Sequence, residues 1–225
     1  MSGRGLEGIT VIYKKFSSGD ETAAVGIGTL IIFIAMLLVA GITASVIIQT
    51  MNSFQQQALK TATETIQSIS SGLKVTHISG YYNGSVITQL AFFVTPIAGS
   101  ESLDIKYTYL SISDSTNKIV LGYSNNSFNS SVSNGLFSTL NASNLTSSNF
   151  GVMVIRDIDL SCSSNNPIIN NGDLVVLLIN TTACFSGIGT NTDVSGNLVP
   201  ENGISGSIAF KTPSFFTGTI IDLYP

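Results

Sequence analysis

Residues 21–50 read ETAAVGIGTLIIFIAMLLVAGITASVIIQT, and no Lys, Arg, Asp, Glu or His occurs between Glu21 and Lys60. As a helix rising 1.5 Å per residue, Ala24 to Ile48 covers ~37 Å, enough to cross a bilayer with some tilt. The run begins with two glycines, Gly26 and Gly28, one residue apart. Neither a globular core helix nor an ordinary signal peptide calls for that start.

Upstream, residues 1–23 form a hydrophilic leader carrying Arg4, Lys14 and Lys15. A secretory signal peptide would follow its basic residues with a short apolar stretch and a small-residue cleavage site. Here the apolar run is too long, and no A-x-A pattern precedes the polar residues Asn52 to Gln57. The basic leader therefore reads as a topogenic head left on the cytoplasmic side, with the apolar run in the membrane.

Downstream, Met51, Phe54, Ala58, Ala62, Ile66 and Ile69 step by three or four residues, while Gln55, Gln56, Gln57, Lys60, Thr63 and Glu64 fall on other faces. That spacing extends the helix as an amphipathic stripe. Gly72 is the first good stop, as a left-handed C′ residue. One helix over 24–72 is thus expected, apolar on every side in its first half and one-sided in its second.

From Leu73 the pattern changes to short strands. Ser85–Pro96, Asp104–Ser113, Lys118–Ser124, Gly151–Leu160, Asp173–Asn180, Gly206–Thr212 and Thr217–Pro225 are the candidates, separated by turn signals such as NNG, PENG and SGS. The expected fold class is α+β: a long N-terminal hydrophobic helix followed by an all-β, antiparallel, immunoglobulin-like sandwich over 73–225. The Ser/Asn-rich stretch from Ser124 to Asn149 reads as an exposed loop or edge insertion.

Charged residues make up only 10% of the chain and the net charge is −4. So little charge, with abundant Ser, Thr and Asn, suits a secreted surface or one covered by copies of itself. No basic stripe interleaved with aromatics supports nucleic-acid binding. GIG at Gly26–Gly28 lacks the preceding strand and following basic residue of a phosphate loop, and no G-x-S-x-G elbow occurs. The single histidine, His77, has no acidic cluster beside it and reads as a strand residue. No catalytic site, cofactor or metal set is assigned. Asp157 and Asp159, two apart on an expected strand, share a face; they are too few to coordinate calcium alone and fit a solvated strand edge.

Cys162 and Cys184 are the two cysteines, too few for a zinc site with His77 so far away. In an extracellular domain nothing keeps such a pair reduced, so a Cys162–Cys184 disulfide is expected, which requires the strands before them to run as antiparallel neighbours or to face one another; two buried thiols are the alternative. Six N-x-S/T sequons, at Asn83, Asn125, Asn129, Asn141, Asn144 and Asn180, are glycosylation candidates, with a cluster in the expected loop.

The stretch AAVGIGTLIIFIAMLLVAGITASVIIQT, followed by SFQQQA, closely resembles the N-terminus of archaellins, the archaeal flagellins. The match runs nearly without gaps from Ala23 to Ala58, and the C-terminal NLVPENGISGSIAFKTPSFFTGTIIDLYP is more loosely similar to archaellin ends. The resemblance implies a class III leader over 1–23, removed by a preflagellin peptidase at the Ala23–Ala24 bond, just before the helix-start motif Val25, Gly26, Ile27 and Gly28. Glycines there would keep the scissile backbone extended and let packed helices approach. It also implies a subunit held in the cytoplasmic membrane until assembly, then polymerised through its helix with itself or other archaellins into an extracellular swimming filament. An adhesion pilus subunit like the type IV pilins, or a membrane-anchored surface binding protein, is the alternative. Type IV pilins carry glutamate at the fifth mature residue, where this chain has Gly28.

Overall fold

The computed structural model describes the backbone of residues 5–224 and the side chains of residues 23–223. It divides into two compact units, Met1–Thr61 and Ala62–Pro225.

Helix α1 spans Gly5–Ser70, 66 residues without interruption, and supplies the first unit and the opening turns of the second. No proline breaks it, and the hydroxyls within it turn back on their own backbone. Thr29 Oγ1 donates to Gly26 O, Thr43 Oγ1 to Val39 O, Thr50 Oγ1 to Val46 O and Ser53 Oγ to Gln49 O, at 2.6–3.1 Å. The apolar segment therefore presents no unsatisfied side-chain hydroxyl at these positions.

The helix ends where expected, but for a different reason. Gly72 is not left-handed; the positive φ in this neighbourhood belongs to Gly203, at +99°. Gly72 instead pairs in a parallel bridge with Ile204. A Cβ on Gly72 would stand 2.7 Å from the Ile204 carbonyl oxygen and 2.9 Å from Ile97 Cδ1, so close approach requires the glycine.

The second unit contains β1 (Leu73–Tyr82), β2 (Ile87–Pro96), β3 (Leu103–Asp104), β4 (Tyr109–Ser113), β5 (Lys118–Asn129), β6 (Asn149–Arg156), β7 (Ile168–Ile169), β8 (Leu174–Asn180), a short helix α2 (Thr181–Phe185), β9 (Asp193–Val199), β10 (Gly206–Lys211) and β11 (Ile220–Tyr224). Nine strands form one sheet in the order β10-β9-β4-β5-β6-β8-β2-β1-β11, and β3 pairs with β7. The sheet folds over on itself at β5. Residues 118–121 of β5 pair with β4, and residues 122–129 pair with β6 across an irregular stretch.

The result is a two-layer, immunoglobulin-like sandwich around one core. Leu110, Ile112, Leu121, Val194, Leu198 and Ile208 of one layer meet Ile78, Leu90, Phe92, Val152, Val175 and Leu177 of the other, all nearly inaccessible. Pairing is antiparallel throughout the large sheet except between β5 and β6, which run parallel. A parallel neighbour needs a crossover connection, and residues 130–148 provide it.

That crossover is not the exposed loop expected from its Ser and Asn content. Ser124–Asn129 belongs to β5. Beyond it, Phe137, Leu140 and Leu145 pack on the outer face of the sheet against Ala91, Met153, Val176 and Leu178, forming a second, smaller core.

Candidate functional site

The most extensive chemically distinctive surface is the α1 helix. From Val25 to Phe54 every large apolar side chain is exposed, including Ile31 at 61%, Phe33 at 60%, Ile34 at 48%, Leu38 at 63% and Phe54 at 74%. The apolar run is uncharged and the hydroxyls of Thr29, Thr43, Thr50 and Ser53 are bonded to its own backbone, so its surface can be buried on all sides with little polar cost. At ~1.5–3 kcal/mol per large side chain removed from water, burial of this surface outweighs any other interaction the chain has to offer. The stripe continues through Met51, Ile66 and Ile69, also exposed.

Ala23, Ala24, Val25, Gly26, Ile27 and Gly28 lie inside α1. They are helical, not extended: with the helix already begun at Gly5, each sits within a continuous i→i−4 ladder. Within this chain a Cβ on Gly26 or Gly28 would meet nothing within 4 Å, so their glycines serve no internal packing. The side chains of Arg4, Lys14 and Lys15 lie outside the described residues.

The head holds the other candidates. Strand β6 ends at Arg156, so Asp157 and Asp159 lie in the following loop rather than on a strand face. The chain turns there because carboxylates capture its amides. Ser161 N donates to Asp157 Oδ1 (3.2 Å) and Asp159 Oδ1 (3.2 Å), and Cys162 N to Asp157 Oδ2 (3.0 Å). Asp173, wholly buried at the start of β8, joins them: Ile158 N donates to its Oδ1 (3.2 Å) and Asn170 N to its Oδ2 (2.9 Å). Asn170 Nδ2 completes the set by donating to Asp159 Oδ2 at 2.6 Å.

One carboxylate oxygen from each of Asp157, Asp159 and Asp173 falls within 4.8 Å of the others. This is an oxygen-only donor set of the kind that suits a hard divalent cation. All six carboxylate oxygens already accept hydrogen bonds from the loop, so the cluster is also what folds the loop. Ser161, first through its hydroxyl, and Asn170 hold the Asp159 carboxyl below the usual carboxylate range. Sequence reading did not connect Asp173 to the pair, because it lies fourteen residues beyond Asp159 and opens a strand.

Cys162 and Cys184 are free thiols, and the topology explains why they do not bond. Strands β6 and β8 are indeed antiparallel neighbours, with Arg156 opposite Leu174 and Gly151 opposite Leu178. Antiparallel pairing sends the two C-terminal ends in opposite directions. Cys162, after β6, therefore lies at the Leu174 end of β8, and Cys184, in α2, follows its Asn180 end. Six steps along β8 separate Leu174 from Asn180, ~20 Å at the usual rise, against ~4.4–6.8 Å between Cα atoms in a disulfide. Burial, then the negative charge of Asp157, Asp173 and Asp104, pushes the Cys162 thiol up to about 12. Burial alone pushes Cys184 to about 11.

His77 lies on β1 with Nε2 3.2 Å from Asp222 Oδ1 and its ring edge-on to Phe93. The sequons divide by the atom a sugar would modify, the amide Nδ2. Asn180 spends its Nδ2 on the carbonyls of Ala142 (3.2 Å) and Leu145 (3.4 Å) while its Oδ1 caps α2. Asn125 and Asn144 also donate through Nδ2, to Asn165 Oδ1 and Asn126 O, both at 3.4 Å. Asn83, Asn129 and Asn141 use only Oδ1, accepting from Ser85 and Val86, from Ser131, and from Ser143 respectively. Their Nδ2 atoms donate to nothing among the described residues.

Residues 23–210 match the family model for archaeal-type flagellin. Flagellin B2 of Methanocaldococcus jannaschii is 40% identical over 207 residues, which is 91% of this chain and 95% of that one. Flagellin B4 of Pyrococcus abyssi is 38% identical over 213 residues, 89% and 97% of the two chains. Among solved structures, the crystal structure of archaeal flagellin FlaB1 from M. jannaschii superposes with a TM-score of 0.62 at 35% identity, covering 68% of this chain and 96% of that one. The archaeal flagellum of Methanospirillum hungatei strain JF1 shares the fold, with a TM-score of 0.60 at 18% identity, covering 87% and 98%.

Proposed function

This chain belongs to the archaeal-type flagellin family, and we propose that it polymerises through the exposed apolar surface of α1 to form the core of the archaeal flagellum, with its β unit as the outer sheath. It is a structural subunit of an extracellular filament built of copies of itself or of related flagellins. The observation that carries the mechanism is the uncharged, all-round apolar surface from Val25 to Phe54. Seventeen large apolar side chains are exposed in that stretch, and at ~1.5–3 kcal/mol each their mutual burial drives assembly. Contacts between unlike helix faces extend indefinitely when their rotation does not close into a ring.

Before assembly the same surface holds the subunit in the cytoplasmic membrane, for which α1 is long and apolar enough. A preflagellin peptidase then cuts Ala23–Ala24, separating the leader (1–23) from the core helix (24–72) and the outer domain (73–225). The family match beginning at Ala23 supports that boundary, as do Gly26 and Gly28, whose missing side chains serve contacts with something other than this chain. Cleavage makes Ala24 the new start of the helix, where Gly26 and Gly28 loosen its first turn. Glycans are proposed on Asn129, the last residue of β5, and on Asn141 of the crossover, where Nδ2 is available. N-terminal sequencing of material sheared from cells tests the whole reading: a start at Ala24 is expected. Full-length chains found only in the membrane fraction would instead make this a permanently anchored protein.

A further inference from the structure

Two features of the β unit lie at its opposite ends, an exposed apolar loop and an open cavity whose aromatic walls pack on the core behind them. At one end the loop after β6 carries Ile158 and Leu160, 71% and 86% exposed. Leu160 is held at φ +57°, a conformation that costs a branched, bulky residue free energy. The amides of Ser161 and Cys162, bound to Asp157 and Asp159, fix it there. A leucine locked in a strained conformation at a loop apex, fully in water, gains nothing for its own domain.

At the other end, the β1–β2 turn and the residues before β11 surround a cavity of about 490 Å³. Tyr81, Tyr82, Asn83, Phe216, Thr217 and Thr219 line it, with the Tyr82 and Phe216 rings 4.7 Å apart. Its lining carries no charged side chain. The strand register sets the distance between the two features. Arg156, just before the loop, is opposite Leu174, whereas Tyr81 shares its level with Gln89 and Asn180, at the far end of β8. That is ~20 Å along the strands, so the loop cannot reach the cavity of its own chain.

We infer that the Ile158–Leu160 loop of one subunit seats in the Tyr82–Phe216 cavity of a second copy, a head-to-tail contact between β units in addition to the packing of α1. The inference rests on the filament reading. An apolar projection at one end and an aromatic socket at the other form a heterologous contact, the kind that propagates along a filament whose rotation does not close. Charge agrees with this docking. Asp157 and Asp159 flank the projection, and the socket meets them with tyrosine and threonine hydroxyls and no carboxylate. Because Asn83 lines the socket, a glycan there would fill the space the loop needs, so docked subunits leave Asn83 unmodified.

The test uses the full chain carrying both Leu160→Cys and Thr217→Cys, assembled into filaments and treated with a mild copper oxidant. The native thiols, raised by burial, leave parent filaments uncrosslinked as the control. The expected result is a ladder of dimers, trimers and longer species on a non-reducing denaturing gel, absent from either single variant. Dimers from Leu160→Cys alone would indicate a two-fold contact and overturn the inference, as would intact double-variant filaments that yield only monomers. If the double variant does not assemble, Leu160→Ser decides: filaments should dissociate on the order of 5 °C lower while the β unit melts unchanged, and unaltered filament dissociation overturns the inference. A parent chain that forms no filaments overturns the filament reading itself, and this contact with it.

Discussion

Gly203 lies so close to the carbonyl of Ser71 that it leaves no room there for a Cβ. The neighbouring Ile204 amide donates to the same Ser71 oxygen at 2.8 Å, and Leu73 N donates back to Ile204 O at 3.2 Å. The end of α1 is thus tied into the β unit through its backbone, and side chains add to the tie: Gln67 Nε2 donates to Glu101 Oε2 at 2.8 Å and Gly72 N to Ser100 Oγ at 3.1 Å. Gly203→Ala faces both a positive φ and a steric clash, so it should cost residues 62–225 about 2–4 kcal/mol of stability, read by denaturant unfolding. An unchanged midpoint would mean that the tie does not contribute.

Ile34→Asp tests the core. Ile34 is 48% exposed in the single chain and belongs to the first unit, Met1–Thr61, so the second unit should melt as in the parent. A carboxylate buried among packed helices costs several kcal/mol in every subunit, so filaments should be absent from sheared material. Filaments of normal length would remove α1 from the polymer core.

Both thiols titrate far above neutral pH, Cys162 near 12 and Cys184 near 11. A pKa raised on folding stabilises fully below the unfolded value, ~8.5, and that contribution is lost as pH rises through the folded value. The β unit should therefore weaken progressively between about pH 9 and 12, and Cys184→Ala should flatten part of that slope. At pH 8 an alkylating reagent should label no cysteine in native protein and two in denatured, unreduced protein. Zero labels after denaturation would restore the disulfide that the strand directions argue against.

In the carboxylate cluster, burial separates the roles. Asp173 is wholly inaccessible and satisfies two backbone amides, so Asp173→Ala should cost about 2–3 kcal/mol. Asp159 is exposed, and its replacement should cost much less. Its lowered pKa means that its contribution, present above the unfolded value, is lost only as pH falls through the still lower folded one. Thermal melts of the two variants from pH 7 down to pH 2 check both statements.

Asn180→Asp keeps the oxygen that caps α2 but turns an amide donor into a carboxylate facing the carbonyls of Ala142 and Leu145. A loss of about 1–3 kcal/mol is expected. Peptide mapping of filaments should find Asn180 without a glycan; an occupied Asn180 would show that modification precedes folding of the crossover.

How much of this was legible in the sequence depended on how strongly each segment's pattern stands out. The run around Leu30–Ile48 announces its helix because no charged residue interrupts it. Strands β2, β8 and β10 show through their apolar alternation or continuous burial. β1 and β9 were missed: LKVTHISGYY carries a lysine, a histidine and a glycine, and DVSGNLV has only Val194 and Leu198 buried. The crossover concealed its core function, since Phe137, Leu140 and Leu145 are three apolar residues scattered among Ser and Asn with no period. The acidic site needed Asp173, and the cysteines needed strand direction. Both are properties of chain pairing, which composition and local spacing do not encode.

Strand β1 follows α1 after only Ser71 and Gly72, and it is hydrogen-bonded on both flanks, to β2 and to β11. In the proposed filament, any load passing between α1 and the β unit crosses that connection. Tension arriving at Leu73 first draws on the Ser71–Ile204 bonds and on the β2 ladder over residues 73–77; from Ile78 to Tyr81, where β11 pairs as well, it loads two ladders in shear at once. Resistance of this kind is governed by the rate of forced unfolding rather than by equilibrium stability. The junction is built as a mechanical clamp, and the load a filament sustains before shedding its heads should track the β1–β11 register, not the size of the head's core.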